Sequence, residues 1–184
     1  MSKSKIKWDS DKIVSLSAMS ISVITLVIFI YQTNLMSRQN YLSILPYLSI
    51  STSDSPGDNS FKLSLENHGV GPAIIEKVTF KYKDSIFDLT EYNDEIFTFL
   101  LAKAPELDSI KTVSYSTLER GTAIPSNTSN NIIEVKNSPD DYVLLQENLG
   151  KLLADGLYYE VIYRSIQNER WMINNHTQGP KKLN

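Results

Sequence analysis

The sequence predicts a mainly β protein in which an N-terminal transmembrane helix precedes an antiparallel β-sandwich with two inserted helices. Three observations lead to this prediction. Residues 13–37 contain no Asp, Glu, Lys or Arg. Beyond residue 46, apolar residues mostly alternate with polar ones, which is the period of a half-buried strand. Two segments of that region carry apolar residues at helical spacing instead.

The most apolar part of the N-terminal run covers residues 13–31 and follows a basic tail, residues 1–12. These 19 residues are long enough to span the ~30 Å hydrocarbon core of a bilayer as a helix. A cleaved signal peptide is the alternative, because the tail is basic. The run is longer than the apolar region of a signal peptide, and the polar residues after it offer no small-x-small cleavage site. We therefore predict an uncleaved membrane anchor.

The charges that flank this helix predict its orientation. The tail carries four lysines, whereas the other flank carries only Arg38 before Lys62. Basic residues near a span favour the cytoplasmic side of the membrane. The N-terminus is therefore predicted inside and the β-sandwich outside, in a single-pass arrangement.

Small residues form a stripe along the same helix. They follow the spacing i, i+3, i+7 and i+10, at Ser15, Ala18, Ser22 and Thr25. Such a stripe lets a second helix approach closely, and hydroxyl groups can bond across the contact. It predicts a homo-oligomer formed through the transmembrane helix. The alternative is a scatter of small residues in a lone anchor.

The β-sandwich domain is predicted over residues 46–176. An amphipathic helical neck, residues 32–45, leads into it and ends before Pro46, whose ring disfavours helix at the preceding residue. A polar C-terminal tail, residues 177–184, follows it. The first alternating segments predict strands at residues 46–52, 61–67 and 77–83, each wet on one face.

Two segments within the domain predict helices. The first covers residues 91–105. Its apolar face is formed by Tyr92, Ile96, Phe99 and Leu100. The second follows Ser138, a good N-cap, and stops at Gly156, which can take the left-handed C-terminal position. Asp140 and Asp141 lie in its first turn, where the helix dipole stabilises negative charge.

The rest of the domain predicts further short strands. They are expected at residues 110–115, at 132–136 after a polar stretch at 125–131, and on both sides of 166–169. Several short strands separated by turn signals favour a β-sandwich of immunoglobulin-like kind.

The glycines of the segment ENHGVGPAII could belong to a phosphate-binding loop or to a structural corner. A P-loop needs Gly-Lys-Ser/Thr followed by a helix, and the dinucleotide fingerprint needs a third glycine where Ile74 stands. Neither pattern is met, so we predict a corner between two strands. Asn67 would bond the backbone two residues on, and Gly69 and Gly71 would supply positive φ. Pro72 would open the next strand where no ladder donor is needed.

This corner pattern, Asn-x-Gly-x-Gly-Pro-Ala, is preceded by one apolar span and by LPYLSI. With these features the chain resembles a loose group of uncharacterised bacterial proteins. The resemblance covers most of the chain and includes IPSNTSNNIIEV and the closing hairpin YYEVIYRSIQNERWMI. It implies one N-terminal membrane helix and a small immunoglobulin-like β-sandwich. The motifs are structural, so the resemblance carries over no catalytic residue.

Aromatic residues on the closing hairpin are the candidate surface for a ligand or partner. They are Tyr158, Tyr159, Tyr163 and Trp171. Such rings can line a binding face. Cross-strand packing within a sheet is the alternative explanation for them.

Composition argues against several classes of site. Cysteine is absent, and His68 and His176, the only histidines, lack the spacing of metal ligands, so no metal site is predicted. No nucleophile elbow or cofactor motif occurs, so neither catalytic residues nor a cofactor is predicted. Residues 46–184 hold 13 Lys and Arg against 19 Asp and Glu, a formal charge of −6, without a basic cluster. Nucleic acid is therefore not an expected partner.

The sequence thus predicts a non-enzymatic, membrane-anchored β-sandwich that binds an unknown partner protein or small ligand. The alternative is a membrane effector of a stress or phage-defence system. In that case the sandwich would lie in the cytoplasm and sense a small signal. The transmembrane helices would then oligomerise and disturb the membrane.

Overall fold

The computed structural model describes residues 9–90 and 96–183. Most of the predicted basic tail and Tyr92 of the first predicted inserted helix lie outside the described residues. The chain divides into two compact units, Met1–Leu42 and Ser43–Asn184.

The first unit contains α1 (Ser10–Leu42), a helix of 33 residues. Within the described chain, it is the one helix long and apolar enough to cross a membrane. None of its described side chains is buried. α1 runs unbroken through residues 13–31 and most of the predicted neck, but it ends at Leu42 rather than at residue 45. Residues 43–45 are not helical, and the carbonyl group of Leu45 accepts hydrogen bonds from the amides of Val70 and Gly71.

The second unit contains two short helices, α2 (Ile96–Lys103) and α3 (Pro139–Ala154). Its strands are, in chain order, β1 (Leu48–Ser55), β2 (Ser60–Asn67), β3 (Ala73–Tyr82), β4 (Ser85–Asp88), β5 (Val113–Tyr115), β6 (Ala123–Ile124), β7 (Thr128–Val135), β8 (Tyr158–Arg164), β9 (Arg170–Asn174) and β10 (Lys181–Lys182). Two short 3-10 segments, Pro56–Asp58 and Pro105–Ser109, complete the described part of this unit.

The strands form two antiparallel sheets. Sheet A has the order β1-β2-β7-β5, and sheet B has the order β10-β9-β8-β3-β4, with β6 also pairing with β3. Apolar residues from both sheets and from the two short helices form one buried cluster. This arrangement is compatible with a β-sandwich and confirms the prediction of a mainly β chain with an N-terminal apolar helix.

Side-chain alternation explains which residues of the interior strands β3 and β8 are buried. Val78, Phe80 and Tyr82 of β3 are buried, as is Tyr163 of β8. The rings of Phe80 and Phe99 meet edge to face, with 5.1 Å between their centroids. This contact seats α2 on the core, because aromatic pairs favour that geometry.

Two polar residues predicted to face solvent are buried instead, Ser64 and Thr79. The ladder between β2 and β7 shifts register after Leu63, with Ile132 as the extra residue of β7. Phe61 and Leu65 of β2 stay buried on either side of this shift, so the shift does not explain the burial of Ser64. Thr79 lies on β3, which pairs with β4 on one side and β8 on the other.

Three strands, β4, β6 and β10, were not predicted. The predicted polar tail, residues 177–184, contains β10, which pairs with β9 through Lys181–Met172 and Lys182–Trp171. The predicted polar stretch at residues 125–131 likewise contains the first half of β7. β10 and the first half of β7 have no apolar residues, so backbone hydrogen bonds rather than a buried face hold them in the sheets. By contrast, Ile124 of β6 is buried, and Phe87 of β4 packs against the core.

The side chain of Asn67 holds the corner between β2 and β3 together. It is 1% exposed and makes four hydrogen bonds to backbone groups. Its Oδ1 accepts from the amides of Tyr47 at 3.1 Å and Gly69 at 3.0 Å. Its Nδ2 donates to the carbonyl groups of Gly71 at 2.8 Å and Ile124 at 3.0 Å. The amide therefore joins the end of β2 to β6 and to the segment before β1.

The two corner glycines have a different role from the predicted one. Neither Gly69 nor Gly71 has positive φ. A Cβ on Gly69 would instead collide with the carbonyl oxygen of Leu45, and one on Gly71 with the carbonyl group of Ile44. Glycine is required here because two backbone segments touch. Pro72 directly precedes β3, where its missing N–H leaves no ladder bond unmade.

α3 begins and ends at the predicted signals. Ser138 caps it by accepting a hydrogen bond from the amide of Asp141, and Gly156 has a φ of +92°. The carboxylate of Asp141 is not solvated. It accepts hydrogen bonds from the amides of Lys111 at 3.2 Å and Thr112 at 2.9 Å, and from the Thr112 hydroxyl at 2.6 Å. The hydroxyl bond is the main reason that the pKa of Asp141 lies below its ordinary value.

We expect Gly71→Ala to lower the free energy of unfolding by roughly 1–3 kcal/mol, because the backbone at Ile44 must move to admit a methyl group. Gly57→Ala is the matched control, since nothing lies within 4 Å of a Cβ there. Chemical denaturation of the full chain in a mild detergent measures both. Equal losses in the two variants would contradict the close approach.

We expect the stability that Asp141 contributes to be present above its ordinary pKa of 3.8 and lost as the pH falls through the lower pKa of the folded state. Asp141→Asn removes this titration. Between neutral pH and pH 3, the free energy of unfolding should therefore fall more in the wild type than in the variant. Denaturation curves at a series of pH values test this, and identical pH profiles would refute it.

Candidate functional site

A surface cleft of about 370 Å³ lies where β3, β8 and β9 meet the loop before β6. Its charged lining residues are Glu76, Lys77, Arg120, Arg164 and Arg170. These five residues define what we call the arginine cleft. The second unit has three arginines, and all of them line this cleft, although its residues 46–184 carry a formal charge of −6.

Two of the arginines share one carboxylate. Arg164 and Arg170 are direct cross-strand partners in the β8–β9 hairpin. The Nε of Arg170 donates to Oε2 of Glu76 at 2.6 Å, and the Nε of Arg164 lies 3.8 Å from Oε1. The three side chains are between 26% and 49% exposed, so these ion pairs contribute little to stability. They orient the guanidinium groups without neutralising both.

A β-bulge places Glu76 against the two arginines. The ladder between β3 and β8 shifts register between Ile75 and Lys77, which leaves Glu76 as the extra residue. Ile75 and Val78 are both buried, although they are three positions apart and regular alternation would place them on opposite faces. The bulge therefore lets the apolar side chains before and after it, Ile75 and Val78, both enter the core, and it turns Glu76 towards the hairpin.

The loop before β6 brings Arg120 to the cleft. The amide of Gly121 donates to the Ile75 carbonyl at 2.8 Å, and the amide of Ile75 donates to the Thr122 carbonyl at 2.9 Å. The amide of Arg120 donates to the Thr90 carbonyl at 3.2 Å. Gly121 has a φ of +90°, a conformation that favours glycine. The backbone thus fixes Arg120 independently of its side chain.

Lys77 is engaged at the rim of the cleft. Its Nζ lies 3.5 Å from Oδ2 of Asp88. Burial acts to raise the pKa of Asp88, but hydrogen bonds from Thr90 and the charge of Lys77 outweigh it, so this pKa lies below its ordinary value. Asp88 therefore stays ionised at neutral pH and offsets Lys77. The other cationic residues of the lining are Arg120, Arg164 and Arg170.

The four aromatic residues predicted as a binding surface do not form one exposed face, although Tyr163 and Trp171 are cross-strand partners. Tyr163 is 0% exposed, and its hydroxyl accepts a hydrogen bond from the amide of Leu48 at 3.3 Å. Burial raises its pKa. The placement of Tyr163 on a surface is therefore wrong, because its ring lies in the core. Tyr159 packs against that core, and Tyr158 is on the opposite face of β8.

Tyr158 and Trp171 are both partly exposed, but they have separate neighbours. Tyr158 stacks on His176 at 5.4 Å between ring centroids, with Nζ of Lys81 5.0 Å above its ring. Trp171 lies under Nζ of Lys182 at 5.6 Å. Its buried indole N–H has no hydrogen-bond partner among the described residues. These contacts are cation–π and stacking interactions within the sheet.

Each of the two histidines contacts a side chain of the second unit. His68 is 57% exposed, with Nε2 3.4 Å from Oε2 of Glu66, and His176 stacks on Tyr158. Within residues 9–90 and 96–183, no three His, Asp or Glu side chains form a group that could hold a metal ion.

The small-residue stripe lies on α1. The hydroxyl groups of Ser15 and Ser22 donate to the carbonyl groups of Asp11 at 2.7 Å and Ala18 at 2.8 Å. Both donors are thus satisfied within the helix. Thr25 continues the stripe, whose side chains are all small. Association of two α1 helices through this stripe stays a prediction.

A second cavity, of about 180 Å³, lies between the sheets and beside α2 and α3. Its wall is apolar and includes Leu63, Phe80, Leu100 and Leu149. It is smaller than typical ligand sites, and apolar cavities of this size stay dry. We interpret it as a packing gap, so the arginine cleft is the stronger candidate site.

Sequence reasoning missed the arginine cleft. Arg164 and Arg170 flank the predicted turn at residues 166–169, so their pairing across a hairpin was within reach. Glu76 and Arg120 gave no such signal, because a bulge and a loop contact bring them in.

No protein-family model matches the chain, and no curated protein matches it. Among solved structures, it is similar to one described as "Archaellum periplasmic stator protein FlaG from Sulfolobus acidocaldarius". The two are 14% identical, and the match covers 71% of this chain and 99% of that chain with a TM-score of 0.24. A similarity this low carries no argument about fold or function.

Proposed function

We propose that this protein is a non-enzymatic, single-pass membrane protein that binds a partner protein or ligand through its β-rich unit. α1 anchors it, with the N-terminus inside and the β-rich unit outside. The two sheets form an immunoglobulin-like sandwich, as in the group of bacterial proteins that the chain resembles.

The observation that carries the proposal is α1. The helix is 33 residues long, and none of its described side chains is buried. Apolar surface of this extent is unfavourable in water, and a helix of this length exceeds the thickness of a hydrocarbon core. A bilayer would cover the apolar surface and satisfy both conditions. The four lysines of the N-terminal tail support the inside orientation.

Binding rather than chemistry is supported by the roles of the ionisable side chains. Asp141 and Tyr163 hold backbone groups of neighbouring segments, and His68 pairs with Glu66 at the surface. The arginine cleft is different, because its charges converge on an open volume. It is therefore the best candidate for the recognition surface.

The membrane-effector alternative requires assembly through α1 and a cytoplasmic β-rich unit. The small-residue stripe permits a close helix contact. Because Ser15 and Ser22 donate within their own helix, the described contacts do not favour this alternative. We keep the binding module as the proposal.

We expect the full chain to stay in the membrane fraction after alkaline carbonate extraction. Val23→Arg together with Ile24→Arg should release it, because each charge near the bilayer centre costs about 2.5–3.5 kcal/mol. Val23→Leu with Ile24→Leu is the matched control and should remain in the pellet. Release of the wild type, or loss of an N-terminal fragment of signal-peptide size, would refute the anchor.

We expect Gly57→Cys to react with a membrane-impermeant maleimide on intact cells. Gly57 lies in an exposed turn with space for a side chain, and the chain has no other cysteine. Ser4→Cys in the N-terminal tail is the control and should react only after lysis. The reverse pattern would place the β-rich unit in the cytoplasm and favour the effector alternative.

A further inference from the structure

A smaller cleft, of about 140 Å³, adjoins the apolar cavity between the sheets. It lies between β1, at the edge of sheet A, and the segment that follows β9. Ile50 of β1 and Tyr159 of β8 line both spaces, so the two spaces meet at these side chains. The cleft and the cavity, joined at Ile50 and Tyr159, define what we call the amphipathic pocket. Neither of these two residues lines the arginine cleft.

The inner half of the amphipathic pocket is the apolar cavity of about 180 Å³. Phe80, Leu100 and Leu157 in its wall are buried. Leu153 and Thr52, which also line it, are exposed, so the cavity opens to the surface on one side. An engineered cavity of about 150 Å³ with Leu, Ile and Phe walls stays dry and binds benzene. A cavity alone is a packing gap, but an apolar group that entered it would restore contacts that its walls lack.

The outer half of the pocket, the cleft, is polar but carries no charge. Its wall includes Ser49, Asn174, Thr177 and Gln178. Among the described residues, no Asp, Glu, Lys, Arg or His lines either half. Moving an ionised group out of water without an opposite charge is costly. The pocket therefore favours an uncharged polar group over a carboxylate, a phosphate or an ammonium group.

Backbone groups of β1 add a donor and an acceptor where the two halves meet. β1 is an edge strand, so its residues alternately direct their backbone groups to β2 and to the open side of sheet A. The carbonyl group of Tyr47 accepts from the amide of His68 at 2.9 Å. The amide of Leu48 instead donates to the Tyr163 hydroxyl. The backbone of Leu48, and two residues on that of Ile50, therefore faces the open side, where a ligand can bind it.

Tyr159 supplies a third polar group at the junction. Its ring packs against the core, 6.5 Å from the ring of Phe80 between centroids. Burial raises the pKa of Tyr159, and no hydrogen bond or charge of another described residue contributes to the shift. The hydroxyl is therefore protonated at neutral pH and can donate a hydrogen bond to a ligand.

We propose that the amphipathic pocket binds a small uncharged amphiphile, such as an aromatic or short-chain alcohol. Its hydrocarbon group lies among the apolar side chains of the inner half, and its polar group bonds to the Tyr159 hydroxyl and the Ile50 backbone. An apolar wall with a few converging polar groups is typical of small-molecule sites. This inference rests on the proposed binding function and names a ligand class for it. It uses neither the arginine cleft nor α1.

Fluorine NMR of the full chain in detergent micelles tests the proposal, with para-fluorobenzyl alcohol as the probe. Equal detergent in all samples cancels partitioning of the probe into micelles, and we expect the wild type to broaden its signal. Leu149→Phe, which places a larger side chain in the inner half, should abolish the broadening without lowering the Tm. Val143→Phe on the same helix is the matched control and should keep it, because Val143 is 48% exposed and lines neither half. No broadening by the wild type, or equal broadening by a folded Leu149→Phe variant, overturns the proposal.

A second variant tests the polar half and does not depend on the folding of the first. Tyr159→Phe keeps the ring and removes the hydroxyl, so it should raise the dissociation constant of the alcohol roughly fivefold and leave that of para-fluorotoluene unchanged. The charged analogue para-fluorobenzoate should not bind the wild type. Equal affinity of the alcohol for both chains, or binding of the benzoate as tight as that of the alcohol, overturns the proposed orientation and ligand class.

Failure of this inference is distinguishable from failure of the proposed function. Release of the chain by carbonate would refute the membrane anchor and leave the probe result standing. Absence of probe binding would refute the amphipathic pocket and leave the anchor and the arginine cleft untouched, because no residue of the pocket lines that cleft.

Discussion

The second unit depends on one buried side-chain amide. Asn67 uses both its oxygen and its nitrogen to bind four backbone groups, and these groups belong to the entry to β1, the β2–β3 corner and β6. A buried polar group without partners would be costly, whereas a fully satisfied one fixes a single arrangement. The corner glycines permit this arrangement, because a side chain on either would push the segment before β1 away. The Tyr163 hydroxyl adds a second polar contact between β8 of sheet B and Leu48 at the start of β1.

The arginine cleft is built outward from that corner. β3 begins directly after Pro72, and four residues after Pro72 its ladder is interrupted at Glu76. The interruption lets Ile75 and Val78 both enter the core while Glu76 contacts the arginines of the β8–β9 hairpin. The core and the cleft therefore share one irregularity. Removing the bulge would bury the wrong side chains, so packing protects the geometry of the cleft.

The net charge of the second unit does not predict the electrostatic potential at the arginine cleft. Residues 46–184 are acidic overall, yet every arginine among them lines the same cleft. The absence of a basic cluster along the sequence argues against a long nucleic-acid stripe, and that argument still holds for a linear cluster. The same argument does not apply to arginines that are separated in sequence and are brought together by one loop and two strands. Local potential depends on which charges converge rather than on their sum.

Features that rest on local periodicity and local hydrogen bonds could be predicted from the residues alone. These include the apolar α1, the strands β1, β2, β3, β8 and β9, and the Ser138 cap and Gly156 stop of α3. Tertiary structure alone decided the rest. The short strand β6 is defined by β3, a partner distant in sequence, and Tyr163 is buried because β8 lies inside a sheet. The glycines of the corner, the bulge at Glu76 and the meeting of Arg120 with Arg164 and Arg170 all depend on contacts between separate segments. Spacing along one chain carries no record of such contacts.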